Sequence, residues 1–323
     1  MIFEKQILDG FKGMMYTRCD DNGTAFYFSA ADFEGLRAEP YAFTASAGHL
    51  LKGYLYSYEN PIEGRLIVFD HGFGGGHRAY MKEIELLCRH GYTVLSYDHT
   101  GCMESGGDSP NGMSQSLCDL NDCIKAIKAD ERFLGVDISV MGHSWGGFST
   151  LNIAALHPEI SHVVVLSGFV CVKDLISTFF PGILKAYRKP IMELERASNP
   201  RFVDFHAVES LRATDAEVLL IYSENDALCK RSHYDVLKAG LSDKENVDFL
   251  LLEGKGHNSN YTSDAVAYLG EYLAKKQKLL KKGLLSTDAQ KKEFLASWDW
   301  NRMTAQDETV WEKIFACLAK ETK

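Results

Sequence analysis

The stretch Asp137–Gly147, with the sequence DISVMGHSWGG, decides the fold. A short apolar run ends at Met141, and the pattern G-x-S-x-G then places Ser144 before an apolar helical segment. The turn from strand to helix at such a serine is so tight that side chains two residues away on either side would collide. It lifts the hydroxyl to a helix N-terminus, where developing negative charge is favoured. These residues predict Ser144 as a nucleophile.

Strands and helices alternate on both sides of this motif. A hairpin is expected from 41–44 and 50–58, and helices near 80–90 and 114–130. Further strands are expected at 65–70, 92–97, 137–141, 163–166, 217–222 and 247–252. These strands are continuous apolar runs, which is typical of a sheet that is buried on both faces. The pattern therefore predicts an α/β protein with a mostly parallel central sheet and helices on both faces.

Interruptions of the alternation divide the chain into segments. Residues 170–212 exceed one crossover helix and predict a small helical cap insert, with a long surface excursion as the alternative. Apolar residues at helical spacing predict a C-terminal helical extension of two helices over 284–323. Residues 1–40 contain short, turn-rich pieces and are expected to be an N-terminal extension packed on the core. The core itself is expected to comprise residues 41–169 and 213–283.

Composition excludes several classes of function. With 35 basic and 44 acidic residues, the net charge is −9, which disfavours binding to a nucleic-acid backbone. The first eleven residues lack a secretory signal pattern, and no apolar run approaches the length of a spanning helix, so no stable membrane insertion is expected. The eight cysteines have no metal-ligand spacing and are expected to be reduced thiols in a cytoplasmic protein. The sequence does not indicate an oligomeric state.

Two later loops carry candidates for a base and an orienting acid, which a serine nucleophile requires. Glu224 and Asp226 follow the strand at 217–222, and His257 follows the strand at 247–252 within a glycine-flanked loop. The chain order of serine, acid and histidine is typical of one family of α/β enzymes. His257 is therefore the candidate base, and both carboxylates are candidate acids.

With these residues in place, the region 41–282 resembles the α/β-hydrolase superfamily, in particular its esterase, lipase and serine-aminopeptidase-like branch. That family usually shows a glycine, two residues and then the acid. Here Ser223 stands at the glycine and Asp226 at the acid, so Asp226 is preferred and Glu224 is the competing candidate. The resemblance implies the α/β-hydrolase fold and a catalytic triad of Ser144, Asp226 and His257.

Two backbone N–H groups are expected to form an oxyanion hole. One belongs to Trp145, directly after the nucleophile. The other is assigned to Phe73, because the run HGFGGG at 71–76 resembles the family's HGGG-type loop. A plain tight turn or a phosphate cradle are alternatives for these glycines, although the run does not fit the dinucleotide pattern G-x-G-x-x-G. His71 is expected to hydrogen-bond backbone, and His99 stands where relatives often carry Arg.

The sequence therefore predicts a serine hydrolase that cleaves a carboxylic ester of a small or medium acyl or aromatic substrate through an acyl-serine intermediate. No metal or organic cofactor is expected, because His77, His99 and His143 lack the spacing and the carboxylates of a metal site. The expected partner is a small-molecule ester. Phe179 and Phe180, with Tyr187, are predicted to line the substrate pocket, with anchoring of the insert as the alternative.

Three other activities fit the same residues. A serine aminopeptidase or amidase would need a carboxylate for the substrate amine, for which Glu193, Glu195 and Asp204 are candidates. Thioester hydrolysis and acyl transfer to an alcohol require the same triad. A non-catalytic ligand-binding protein of this fold is disfavoured, since such proteins typically lose a triad residue and all three are present here.

Overall fold

The central sheet positions every candidate site residue. A computed structural model describes residues 3–321, and in this range it places eight strands in one sheet: β1 (Arg37–Thr44), β2 (Leu50–Ser57), β3 (Arg65–Asp70), β4 (Thr93–Tyr97), β5 (Asp137–His143), β6 (His162–Leu166), β7 (Glu217–Ser223) and β8 (Val247–Leu252). Across the sheet they are ordered β1-β2-β4-β3-β5-β6-β7-β8. The pairs β1–β2 and β2–β4 are antiparallel, and β3 to β8 run parallel. The predicted mostly parallel sheet is confirmed.

Helices cover both faces of this sheet. Within residues 3–321 they are α1 (Glu4–Met15), α2 (Met81–Arg89), α3 (Gln115–Ala129), α4 (Ser144–Ile153), α5 (Val172–Phe179), α6 (Arg188–Ser198), α7 (Ala207–Arg212), α8 (Arg231–Leu241), α9 (Ser263–Lys281), α10 (Asp288–Ala296), α11 (Trp300–Met303) and α12 (Glu308–Leu318). One apolar core contains α3 and α4, and the core on the opposite face contains α2 and α12. The predicted α/β architecture is therefore confirmed.

Helix α3 shows how the apolar spacing fixes packing. Leu117, Leu120, Ile124 and Ile127 recur at intervals of three and four residues, and all four side chains are fully buried against the sheet. Burial of each such side chain contributes about 1.5–3 kcal/mol. The spacing of apolar residues therefore predicts both the helix and the face of the helix that is buried.

Helix α1 was not expected, because residues 1–40 have the pattern of turn-rich pieces. Gly10 and Gly13 each lower helix propensity by about 1 kcal/mol relative to alanine. Phe11 and Met15, one turn apart, are buried in the core that contains α3 and α4. Packing of this helix face against the core compensates for the two glycines. The local sequence does not reveal this packing, because the core residues lie far away in the chain.

The segments beyond the predicted core are also helical. Residues 170–212, between β6 and β7, contain α5, α6 and α7. Residues after 284 form α10, α11 and α12, where two helices were expected, because the short α11 separates the other two. Trp311 and Ile314 of α12 are buried against the sheet face opposite α4. Among residues 3–321, no helix combines the length and the apolar character that a bilayer-spanning segment requires.

Candidate active site

Ser144 lies at the junction of β5 and α4, where the backbone turns most sharply. Its φ of 56° is in the left-handed region that a residue with a side chain rarely adopts. A Cβ atom at Gly146 would collide with the carbonyl oxygen of Asp70, and one at Gly142 would collide with the Thr150 hydroxyl. The two glycines are thus required by contacts with neighbouring backbone and side chain, as expected for such a turn.

The three residues predicted as a triad lie together at this turn. His257 Nε2 is 2.8 Å from Ser144 Oγ, and His257 Nδ1 is 2.7 Å from Asp226 Oδ2. Because Nδ1–H donates to the carboxylate, Nε2 is left as the acceptor of the serine proton. The arrangement can remove the proton from Ser144 during attack on a carbonyl carbon.

Asp226 is buried and held by backbone as well as by the imidazole. Its Oδ1 accepts hydrogen bonds from the N–H groups of Leu228, at 2.7 Å, and Cys229, at 3.0 Å. Burial raises the pKa of Asp226, but the hydrogen bond from His257 and these N–H groups outweigh burial and hold the pKa below its usual value. The carboxylate is therefore ionised when His257 becomes charged.

The competing acid lies elsewhere. Glu224 is exposed, and its carboxylate is paired with Arg231 at 2.9 Å. The structure brings Asp226, rather than Glu224, to His257. The geometry thus separates two carboxylates that the sequence places two residues apart.

Phe73 and Trp145, the residues predicted to supply an oxyanion hole, line the same cavity as Ser144. Trp145 is the second residue of α4, and the first N–H groups of a helix have no partner within that helix. The Phe73 N–H, on the loop after β3, has no acceptor among residues 3–321. The two rings meet edge to face at 5.1 Å. Both N–H groups are therefore available to an oxygen bound above Ser144.

Beneath this loop, His99 is a buried cation. It lies 3.2 Å from both Asp70 and Asp119. Burial lowers the pKa of His99, but the two carboxylates outweigh burial and raise it to about 10. The imidazolium thus supplies, between two carboxylates, a charge of the kind that an Arg would carry at this turn.

His71 links that cation to the oxyanion loop. Its Nε2 accepts the backbone N–H of His99 at 3.0 Å, and Nδ1–H donates to the carbonyl of Gly72 at 2.7 Å. Burial and the charge of His99 lower the pKa of His71 to about 3, so the ring is neutral with one defined tautomer. The expectation that His71 hydrogen-bonds backbone agrees with this geometry.

A second hydrogen-bonded chain, which the sequence did not reveal, joins the oxyanion loop to the histidine loop. The Gly72 N–H donates to the Tyr80 hydroxyl at 3.0 Å, and that hydroxyl lies 2.7 Å from His143 Nδ1. His143 Nε2 is 2.8 Å from the carbonyl of His257. Burial lowers the pKa of His143 to about 3, so Nε2–H donates to that carbonyl and Nδ1 accepts from Tyr80. The only sequence signal was the position of His143 next to the nucleophile.

Above the triad lies an apolar cavity of about 260 Å³. Its lining joins segments that are distant in the chain, and its apolar members are Met14, Met15, Phe73, Met113, Trp145, Phe169, Leu175, Phe179 and Leu228. No carboxylate is among the lining residues in the described range. The cavity thus suits an uncharged, apolar group.

Only one of the three aromatic residues predicted to bind substrate lines this cavity. Phe179, the last residue of α5, does so. Phe180 instead packs edge-on against Phe11 of α1 with ring centroids 6.2 Å apart, because consecutive residues at a helix end point in different directions. Tyr187 is also outside the lining. Phe180 and Tyr187 thus lie outside this cavity, and a role in substrate binding stays a prediction for all three residues.

Among residues 3–321, two groups of side chains have three potential metal-ligating atoms within 4.8 Å of one another: Cys171, Asp174 and His206, and Asp226, Cys229 and His257. In the second group, His257 Nδ1 and Asp226 Oδ2 already form a hydrogen bond with each other. In the first group, burial raises the pKa of the Cys171 thiol to about 12, so the sulfur is protonated at neutral pH and is a weak ligand. The expectation that no metal is used stays a prediction.

Comparison with known proteins identifies related enzymes. Residues 63–208 match the family model described as serine aminopeptidase, S33. RutD of Serratia proteamaculans, which carries the provisional name of a carbamate hydrolase, is 32% identical over 105 residues, covering 32% of this chain and 37% of RutD. The 2-hydroxy-6-oxo-6-(2'-aminophenyl)hexa-2,4-dienoic acid hydrolase of Metapseudomonas resinovorans is 29% identical over 115 residues, covering 34% of this chain and 38% of that hydrolase. The chain thus spans less than two fifths of the length of either relative.

Among solved structures, an esterase from Pyrococcus furiosus has a similar architecture. The two chains are 18% identical with a TM-score of 0.59, and the match covers 83% of this chain and 98% of the esterase. At this identity, the likeness shows that the two proteins share a fold.

Proposed function

We propose that the chain is a serine hydrolase of the α/β-hydrolase superfamily that cleaves carboxylic esters, which its family-model match, its hydrolase relatives and its fold support. Its substrates would carry a small or medium acyl group, or an aromatic group. The observation that carries this proposal is the pair of contacts from His257, 2.8 Å to Ser144 Oγ and 2.7 Å to Asp226 Oδ2, beside an apolar cavity. An activated hydroxyl next to an apolar pocket suits nucleophilic attack on a neutral acyl group.

Acylation follows from these contacts. Ser144 Oγ attacks the ester carbonyl carbon while its proton passes to His257 Nε2, and Asp226 stabilises the resulting imidazolium. The carbonyl oxygen becomes an oxyanion that accepts hydrogen bonds from the backbone N–H groups of Phe73 and Trp145. Removing one such donor costs about 3 kcal/mol of transition-state stabilisation in other serine hydrolases. The intermediate collapses when the bond to the leaving oxygen breaks and that oxygen takes the proton from His257.

Deacylation repeats the same steps with water. His257 Nε2 accepts a proton from a water molecule as the water oxygen attacks the acyl-Ser144 carbonyl carbon. The bond to Ser144 Oγ then breaks, and the protonated His257 returns a proton to that oxygen. The acid product leaves and the free enzyme is regenerated.

The placement of carboxylates favours an uncharged acyl group over a peptide with a free amine. Glu193 and Asp204 are exposed, and Asp204 is paired with Arg196 at 2.6 Å. Glu195 is fully buried and bonded to Tyr16 and to the backbone of Met113. None of the three lines the cavity, so a substrate ammonium would have no counter-charge there. Thioester hydrolysis and acyl transfer use the same triad and are separated from ester hydrolysis by assay.

Active-site labelling and turnover together test the proposal. The purified chain is treated with a fluorophosphonate probe and assayed on p-nitrophenyl acetate, butyrate and octanoate, a matched anilide and a matched thioester. We expect ester turnover and a label that maps to Ser144 by peptide mass spectrometry. Ser144→Ala should lose both while keeping its circular dichroism spectrum. Ser177→Ala, which changes a half-buried serine of α5 outside the cavity lining, should keep both. Label or turnover that persists in Ser144→Ala would refute the assignment, and faster turnover of the anilide would refute the ester preference.

A further inference from the structure

The last turn of α1 forms part of the cavity above Ser144. Met14 and Met15 both line it, together with Phe73 of the loop after β3 and Phe179 of α5. Met15 is buried, whereas Met14 is about half exposed, with 49% of its surface accessible. Helix α1 therefore contributes one buried and one half-exposed methionine to the lining of the cavity.

A buried carboxylate fastens this end of α1. The hydroxyl of Tyr16, the residue after α1, donates to Glu195 Oε1 on α6 at 3.0 Å. Glu195 Oε2 accepts the Met113 N–H at 2.7 Å, and Glu195 is fully buried. The Met113 carbonyl in turn accepts Trp145 Nε1–H at 2.6 Å. A continuous chain of hydrogen bonds thus connects α1 to the residue after the nucleophile.

We propose that Met14 and Met15 form the end wall of the acyl-binding cavity and set the longest acyl chain that the enzyme accepts. This inference rests on the proposed esterase function. Methionine is unbranched and adaptable, which suits a wall that contacts the end of a flexible chain. The bond between Tyr16 and Glu195 holds this wall in place, and neither residue touches the cavity or the triad.

The expected effect is a change in chain-length preference. Truncation of either methionine to alanine removes three side-chain heavy atoms from the wall, so the cavity can accept about two further methylene groups. Each methylene moved into an apolar cavity is expected to raise kcat/KM about fourfold. The ratio of kcat/KM for octanoate to that for butyrate should therefore rise about 15-fold. Acetate is too short to fill the space that truncation opens, so its kcat/KM should change less than that of octanoate.

The test compares p-nitrophenyl acetate, butyrate and octanoate for wild type, Met14→Ala and Met15→Ala. Met192→Ala, a half-buried methionine on α6 outside the cavity, is the matched control and should leave the ratio unchanged. Met14→Ala removes a half-exposed side chain, so it keeps the test informative if Met15→Ala is unstable. Tyr16→Phe removes the hydrogen bond to Glu195 that holds the wall, so it should raise the same ratio.

The outcomes separate this inference from the function on which it rests. If wild type shows no ester turnover, the proposed function and the wall both fail. If wild type is an esterase and Met14→Ala keeps both its activity and the wild-type ratio, the wall is refuted and the function stands. A ratio that changes equally in Met192→Ala would also refute the wall, because it would reflect a general loosening of the fold.

Discussion

Replacing His99 by Gln removes a buried cation that lies 3.2 Å from both Asp70 and Asp119. Burial lowers the pKa of His99, and the carboxylates more than reverse that effect, raising it from 6.5 to about 10. A raised pKa means that the folded protein holds the proton more tightly than the unfolded chain does. The resulting stabilisation is complete below pH 6.5 and is lost as the pH rises through about 10.

The magnitude follows from the same pKa. A rise from 6.5 to about 10 corresponds to about 5 kcal/mol of unfolding free energy at pH 6, about 3 kcal/mol at pH 8 and about 1 kcal/mol at pH 9.5. Breaking a buried ion pair by removing one partner costs a similar 3–5 kcal/mol or so in other proteins. The His99→Gln variant should therefore be much less stable than wild type at pH 6 and nearly as stable at pH 9.5.

Urea unfolding at pH 6, 8 and 9.5 and constant ionic strength measures this difference. His90→Gln, which removes an exposed ring on the opposite side of the sheet, controls for the loss of a histidine. A difference between wild type and His99→Gln that stays constant or grows as the pH rises would refute the reasoning. In that case His99 would be neutral and could donate a hydrogen bond to only one of the two carboxylates.

Three further predictions concern the catalytic apparatus. Asp226→Asn should lower kcat by about 10⁴-fold, as the equivalent change does in another serine hydrolase. The kcat of Glu224→Gln should stay within about twofold of wild type. Comparable losses of kcat in the two variants would contradict the assignment of Asp226 as the acid. Tyr80→Phe leaves the Gly72 N–H without its acceptor, which costs about 1–3 kcal/mol. Steady-state kinetics should therefore show that kcat falls about tenfold with little change in KM. A change in KM alone would be evidence against this role of Tyr80. Gly146→Ala should destabilise the fold by about 3 kcal/mol, because its Cβ would overlap the Asp70 carbonyl. A variant that keeps the wild-type melting temperature and ester activity would disprove that contact.

The sequence predicted those features that depend on neighbouring residues. The turn at Ser144 could be recognised because the serine, both flanking glycines and the preceding strand lie within eleven residues. Leu117 to Ile127 likewise carry their own helical period. The parallel sheet followed from the continuous apolar runs, since strands buried on both faces leave no polar alternation.

Features that depend on distant residues were missed. Met14 and Met15 reach the cavity only because α1 packs beside α6, almost 180 residues later in the chain. Tyr80 acquires its role from hydrogen bonds to a loop eight residues earlier and to His143, sixty-three residues later. No local pattern marks such contacts, because they are fixed by the sheet order rather than by sequence spacing.

The departure at Ser223 shows how a change from the family pattern is accommodated. Ser223 Oγ donates to Asn225 Oδ1 at 2.7 Å and accepts the Lys255 N–H at 3.1 Å. Asn225 Oδ1 also accepts the Gly256 N–H at 3.0 Å. The hydroxyl therefore ties the loop that carries the acid directly to the loop that carries His257. A glycine at position 223, as expected from the family pattern, could not make these bonds. The hydroxyl of Ser223 therefore helps to fix the separation of the proposed acid and base.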